Sequence, residues 1–300
     1  MKKIAIVGCE NSHADLFLKF INENYKFRDI EVAGVFSEEI AEAEKLNKKY
    51  GVKVMKTYDE LVGQVDGLIN TARHGNNHYK FCKPYIKDGI PMFIDKPVTI
   101  DEDEAIEFMK EAKANGCKIT GGSCVKHETA VQKIKWDVQK NVDGKTHGGL
   151  VRAPLSSNNE YGGFFFYVQH LIESTLEAFG RYPKSVVTFK TGGEGFKEGD
   201  DLTIVLRYPE YNITAVAGEF VWNYHIARYS DNTVKGYDME IGYENPCFFK
   251  EFDEFYDLVK GDAQRISYED FIAPVFVMNA IKRSFEQGGK EVEVNPIVIK

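Results

Sequence analysis

The stretch Lys3-Ile4-Ala5-Ile6-Val7-Gly8-Cys9-Glu10-Asn11-Ser12-His13 changes its pattern at Gly8. Before the glycine, a short unbroken apolar run has the form of a strand buried on both faces, as in a parallel sheet. After it, Leu16, Phe17, Phe20 and Ile21 recur at helical spacing, and Asn11 or Ser12 supplies an N-cap. The alternation continues outward. Strands are predicted at 30–36, 52–55, 66–72, 91–94 and 117–121, and helices at 39–50, after Thr57, at 77–87 and at 101–114. The last helix opens on acidic residues, which suit the positive end of a helix dipole. Strand–helix alternation of this kind requires right-handed crossovers and a parallel sheet covered on both faces. Residues 1–124 are therefore expected to form a doubly wound α/β domain.

Beyond that point the pattern changes. A helix near 127–140 precedes strands at 149–155, 185–190, 202–207, 213–220 and 234–242. One helix at 167–179 interrupts the strands, and helices at 249–259 and 268–287 close the chain. Residues 125–300 thus read as a separate α+β domain, a mostly antiparallel open sheet with helices on one face. A chain of 300 residues is long enough for two such cores.

Hydrophobic residues at 43% and charged residues at 28% are ordinary for a globular protein and exclude wholesale disorder. Lys and Arg number 38 against 46 Asp and Glu, a net charge of −8, with no basic run beyond pairs such as Lys48-Lys49. Nucleic acid and anionic membrane are therefore not expected partners. No apolar run reaches the length of a membrane span, and the run at 4–7 is too short for a signal peptide. Five cysteines without a CxxC pair read as reduced thiols in a cytoplasmic protein. His74 and His78 have a metal-ligand spacing, but no third ligand stands near them and Gly75 suggests a loop, so no metal is expected.

In an open parallel sheet, ligands bind outside the carboxyl ends of the strands. A dinucleotide fingerprint there wants G-x-G-x-x-G, and only Gly8 is present, with Glu10 and His13 at the other two places. A carboxylate at position 10 is expected to oppose a pyrophosphate, so a turn that no longer grips a dinucleotide is the alternative reading. The second strand ends Val35-Phe36-Ser37 without the usual ribose-binding acid, and Glu38 and Glu39 follow. Two carboxylates and no adjacent Arg or Lys favour NAD over NADP. The fifth predicted strand ends Ile94-Asp95-Lys96-Pro97, which sets a lysine at the mouth of the sheet. There it is either a proton shuttle, tuned by a nearby positive charge, or a surface lysine that begins a loop.

Asp95-Lys96-Pro97 resembles the E-K-P motif of the glucose–fructose oxidoreductase/inositol dehydrogenase (Gfo/Idh/MocA) family. Val65-Asp66-Gly67-Leu68-Ile69 with His78, the acidic run at 101–105, and Gly162-Gly163 with His170-Leu171-Ile172-Glu173 are similar to further family motifs in the same order. The resemblance implies an N-terminal Rossmann domain, a C-terminal domain with an open sheet, and NAD(P)-dependent redox chemistry on a sugar, polyol or related hydroxy compound. It also implies a homodimer or homotetramer formed through that sheet. On this resemblance Lys96 and His170 are the catalytic candidates. The cofactor-binding candidates are Gly8, Glu10, Asn11, Ser12, His13, Ser37, Thr71, His78, Asp95 and Lys96. Lys96, Lys126, Tyr161, Gln169, His170 and Glu173 are the substrate-binding candidates. Two departures stand out: Phe166 replaces the family's aspartate one turn before His170, and the turn 72–77 lacks its proline. Glu173 either supplies the missing carboxylate or is a solvated helix residue. The rival class is a non-catalytic or regulatory ligand-binding protein on the same scaffold, with cofactor binding weakened or lost.

Overall fold

Residues 2–7 form β1 (Lys2–Val7), buried from Ile4 onward, and Gly8 turns the chain into α1 (Ser12–Glu23). In the computed structural model, which describes residues 1–192 and 197–300, alternation continues through β2 (Ile30–Phe36), α2 (Ile40–Tyr50), β3 (Gly67–Asn70), α3 (Asn76–Ile86), β4 (Met92–Asp95), α4 (Glu102–Ala114) and β5 (Ile119–Gly122). The five strands are parallel in the order β2-β1-β3-β4-β5, with Val7 beside Phe36 and Asn70, and Asp95 beside Gly122. The order reverses between β1 and β3, which is where a doubly wound sheet binds ligands.

Two predicted elements are reduced. The strand at 52–55 is a single bridge between Val54 and Val35. Its ladder stops because the Glu60 carboxylate takes the next amide, that of Lys56, at 2.6 Å. The helix after Thr57 is a series of three-residue turns, such as Glu60 N to Thr57 O and Gln64 N to Leu61 O, ended by Gly63 at φ +73°.

The second half holds a short 3-10 turn (Cys124–His127), α5 (Thr129–Gln139), β6 (Thr146–Leu155), α6 (Phe164–Phe179), β7 (Ser185–Lys190), β8 (Asp201–Arg207), β9 (Asn212–Glu219), β10 (Tyr224–Ser230), β11 (Val234–Met239), α7 (Pro246–Lys260), α8 (Tyr268–Glu286) and β12 (Val292–Glu293). The sheet order is β11-β10-β6-β9-β8-β7-β12, and of these pairs only β6 with β9 is parallel. Sequence patterning missed β10, because Arg228 breaks its apolar face. The guanidinium is nevertheless buried, donating to Thr146 Oγ1, Val142 O and Gly144 O at 2.6–2.8 Å. A planar group with five donors tolerates burial when its acceptors are fixed in this way.

The compact units do not divide where a cut after residue 124 would place them. One unit comprises Met1–Gly122, Phe249–Phe271 and Ile299–Lys300, and the other Ser123–Phe248 and Ile272–Val298. The reason lies on α7. Its Phe252, Phe255 and Val259 enter the same core as Ile4, Ile6, Phe17, Phe27 and Phe93. Phe252 meets Phe27 edge-on at 4.8 Å between ring centroids. Gln264 completes the association by accepting the Ile119 amide at 2.7 Å on the outer strand β5.

Candidate functional site

The first cluster stands at the carboxyl ends of the parallel strands. Gly8 has φ +69°, and a Cβ there would lie 2.3 Å from the Ala72 nitrogen, so only glycine lets β1 turn this close to the end of β3. Thr71 holds the same approach, its amide donating to Val7 O at 2.9 Å and its hydroxyl to Gly8 O at 3.0 Å. Cys9 N donates to Phe36 O, which lays the turn beside the end of β2.

Glu10 spans these strand ends. Its Oε2 accepts from the Ser37 hydroxyl at 2.9 Å and its Oε1 from the Arg73 amide at 3.1 Å. The carboxylate is therefore fixed between the ends of β2 and β3.

Asp95, at the end of β4, is fully buried and anchors the other side. Its Oδ2 accepts from Asn11 Nδ2 at 3.1 Å and pairs with His13 Nδ1 at 2.7 Å, while its Oδ1 accepts the Lys96 amide at 2.7 Å. Burial pushes this carboxyl upward, but the charges of His13 and Lys96 and the hydrogen bonds hold it below the usual carboxylate range. Asn11 also caps α1 by accepting His13 N at 3.2 Å. Lys96 follows at 5% exposure, joined to Pro97 by a cis peptide. His78 lies deeper: Nδ1 is 2.7 Å from Pro97 O and Nε2 is 2.9 Å from Ala72 O, so the ring ties together the loops after β3 and β4. Burial holds its pKa below the ordinary histidine value.

The second cluster lies in the other unit. Glu173 on α6 is 2% exposed, not solvated, and its Oε1 pairs with Lys126 Nζ at 2.8 Å. Its Oε2 accepts from the Ser123 amide at 2.8 Å and from Gln169 Nε2 at 2.9 Å. Ser123 Oγ lies 2.7 Å from His170 Nδ1 and accepts the Val125 amide at 3.2 Å. Here a lysine charge is neutralised inside a closed network, and one nitrogen of the His170 ring is engaged by a fixed hydroxyl.

The fold thus brings together Gly8, Glu10, Asn11, His13, Ser37, Thr71, Asp95 and Lys96 in one unit, and Lys126, Gln169, His170 and Glu173 in the other. Three further candidates lie beside these clusters. Ser12 is exposed on the first turn of α1. His78 is enclosed by main-chain carbonyls. Tyr161 packs its ring 5.3 Å from that of Phe166. Ser123 was missed by sequence reasoning; the available signal was its place directly after the Gly121-Gly122 end of β5. Among the described residues no group of three or more His, Cys, Asp or Glu is placed to hold a metal ion, and no helix is long and apolar enough to cross a membrane.

Residues 2–123 match the sequence model of the Gfo/Idh/MocA family, described as an oxidoreductase family with an NAD-binding Rossmann fold. No curated protein matches the sequence significantly. Solved structures share the fold of both units. The scyllo-inositol dehydrogenase of Lactobacillus casei, solved with bound NAD(H) and scyllo-inositol, is 15% identical, with 98% of this chain and 99% of that chain covered and a TM-score of 0.83. The myo-inositol dehydrogenase of Corynebacterium glutamicum is 17% identical, with 99% of each chain covered and a TM-score of 0.81. The myo-inositol 2-dehydrogenase of Lactobacillus plantarum is 13% identical, with 98% and 99% covered and a TM-score of 0.83.

The residues at the strand ends fit a dinucleotide in two respects. The Gly8 turn leaves no room for a side chain, as the close strand-to-helix turn requires. A carboxylate and a hydroxyl, Glu10 and Ser37, sit together at the end of β2, where ribose hydroxyls are held in such sheets.

Proposed function

We propose that the protein is an NAD-linked oxidoreductase acting on a sugar, polyol or related hydroxy compound. The first unit holds the dinucleotide, and the second binds substrate and associates with other copies through its open sheet, as a homodimer or homotetramer. The observation that carries this reading is the buried Asp95 cluster, which fixes Lys96 directly after β4 in a stretch that matches the model of an NAD-binding oxidoreductase family. The inositol dehydrogenases of the same fold support a polyol as the substrate class.

When bound, the nicotinamide supplies the acceptor for hydride. The chain's own work is to move the proton and orient the substrate. Lys96 and His170 are the two candidates for taking the hydroxyl proton, one an amine and the other an imidazole. Asp95 orients Lys96 through its backbone amide. Ser123 fixes His170, and Lys126, neutralised by Glu173, offers ammonium hydrogens to substrate oxygens. Gln169 is spent on Glu173 and so supports the network.

The test is turnover of a polyol panel with NAD by wild type, Lys96→Ala and His170→Ala. Loss of about 10²–10⁴-fold in kcat for the variants is expected from removal of a general base. Unchanged turnover in Lys96→Ala would remove the mechanism. A non-catalytic ligand-binding protein is the second reading, favoured by Phe166 in place of a carboxylate near His170. Dinucleotide binding without turnover of any panel member would support it. Light scattering of the purified protein tests the oligomer.

A further inference from the structure

We propose that Glu10 is the ribose-holding carboxylate of this chain and the residue that selects NAD over NADP. The inference rests on the reading that the first unit takes a dinucleotide. In sheets of this type, an acid at the end of the second strand accepts from the adenosine ribose hydroxyls. Here β2 ends in Phe36-Ser37, with no acid. The two carboxylates that follow are exposed, and Glu38 is paired with Lys80 on α3 at 2.7 Å.

Glu10 reaches the vacated position from another strand. It leaves the β1 turn and bonds the Ser37 hydroxyl at 2.9 Å. Ser37 is 3% exposed and also accepts the Glu39 amide at 3.0 Å, so its single hydrogen is committed to Glu10 and its oxygen to the backbone. The Arg73 amide fixes the other carboxylate oxygen at 3.1 Å. The side chain is thus held from both flanks before any ligand arrives. An ionised carboxylate offers about four lone-pair sites. Two are used by Ser37 and Arg73, and the others remain as acceptors for a vicinal diol. A 2′-phosphate in the same place would bring a second anion against a fixed one. The carboxylate that looks like an obstacle in the glycine fingerprint is, on this geometry, the fingerprint's missing acid.

The experiment is calorimetric titration of full-length wild type, Glu10→Gln, Glu10→Gly and Ser37→Ala with NAD, NADH, NADP and NADPH, with circular dichroism to confirm that each variant is folded. Wild type is expected to bind the NAD pair about 100-fold more tightly than the NADP pair, from like-charge rejection. Glu10→Gln is expected to lose about 10-fold in NAD affinity and most of the discrimination, since a hydrogen bond to a charged group is replaced by a neutral one. Ser37→Ala, which frees the carboxylate from β2, is expected to fall between them. An NAD preference that persists in Glu10→Gln overturns the role of Glu10 and leaves the dinucleotide reading intact. Tighter binding of both pairs by Glu10→Gly also overturns it, because Glu10 would then be only an obstacle. No binding of either pair by any of the four proteins overturns the dinucleotide reading itself and this inference with it.

Discussion

The hydroxyl of Ser123 lies 2.7 Å from Nδ1 of His170, across 47 positions of sequence. The family motifs place an aspartate one turn earlier on α6, where this chain has Phe166. Because Ser123 Oγ also accepts the Val125 amide, its position is set by the backbone. Ser123→Ala is expected to leave the fold intact, lower kcat about 10-fold and move the His170 limb of the pH–rate profile. NMR titration of the His170 ring gives the same answer without turnover. An unmoved ring titration would show that Ser123 does not position the imidazole.

Lys126 and Glu173 are a buried ion pair, each under a tenth exposed. Removing one partner leaves an uncompensated charge, so Glu173→Ala is expected to destabilise by about 3–5 kcal/mol. The double variant Glu173→Ala with Lys126→Met is expected to recover much of that loss, because both charges are then gone. Urea unfolding of the two variants measures both values. A double variant no more stable than the single one would mean that the network, rather than the charge balance, dominates.

His78 makes stability pH-dependent in one direction. Burial lowers its folded pKa from the ordinary 6.5, against the opposing pull of Asp95 and the carbonyls of Pro97, Val98 and Ala72. The unfolded chain therefore takes up this proton first as pH falls. The stabilisation is complete above the unfolded value of 6.5 and is lost as pH drops toward the folded value. His78→Gln is expected to flatten the dependence of the urea midpoint between about pH 7.5 and about pH 5.5. Parallel curves for wild type and variant would exclude His78 as the source.

The core of the first unit depends on α7. A fragment ending at residue 124 would expose Phe17, Phe27 and Phe93 where Phe252 and Phe255 cover them. Losing large buried aromatics costs about 3–5 kcal/mol each in comparable cores, which is on the scale of a whole domain's stability. The fragment is expected to lack a cooperative thermal transition. A sharp melt of residues 1–124 alone would show that the helix adds to a core already sufficient.

The sequence by itself determined the order and type of most elements. An apolar run ending at Gly8, helical spacing from Leu16 to Ile21, and the acidic start of α4 each report which face of a local segment must leave water. A period of two or 3.6 residues is therefore enough to read them. It also fixed Asp95 and Lys96 at a strand end. Tertiary structure decided the rest, because a polar side chain's partner is set by which strand ends converge, not by its neighbours in sequence. Glu10 alone reads as repulsion toward a pyrophosphate, and its bonding partners Ser37 and Arg73 lie 27 and 63 positions away. Arg228 hid β10 because its three acceptors lie more than eighty residues earlier. Likewise α7 has an apolar face that any core could cover, and only the packing of Phe252 against Phe27 assigns it to the parallel sheet.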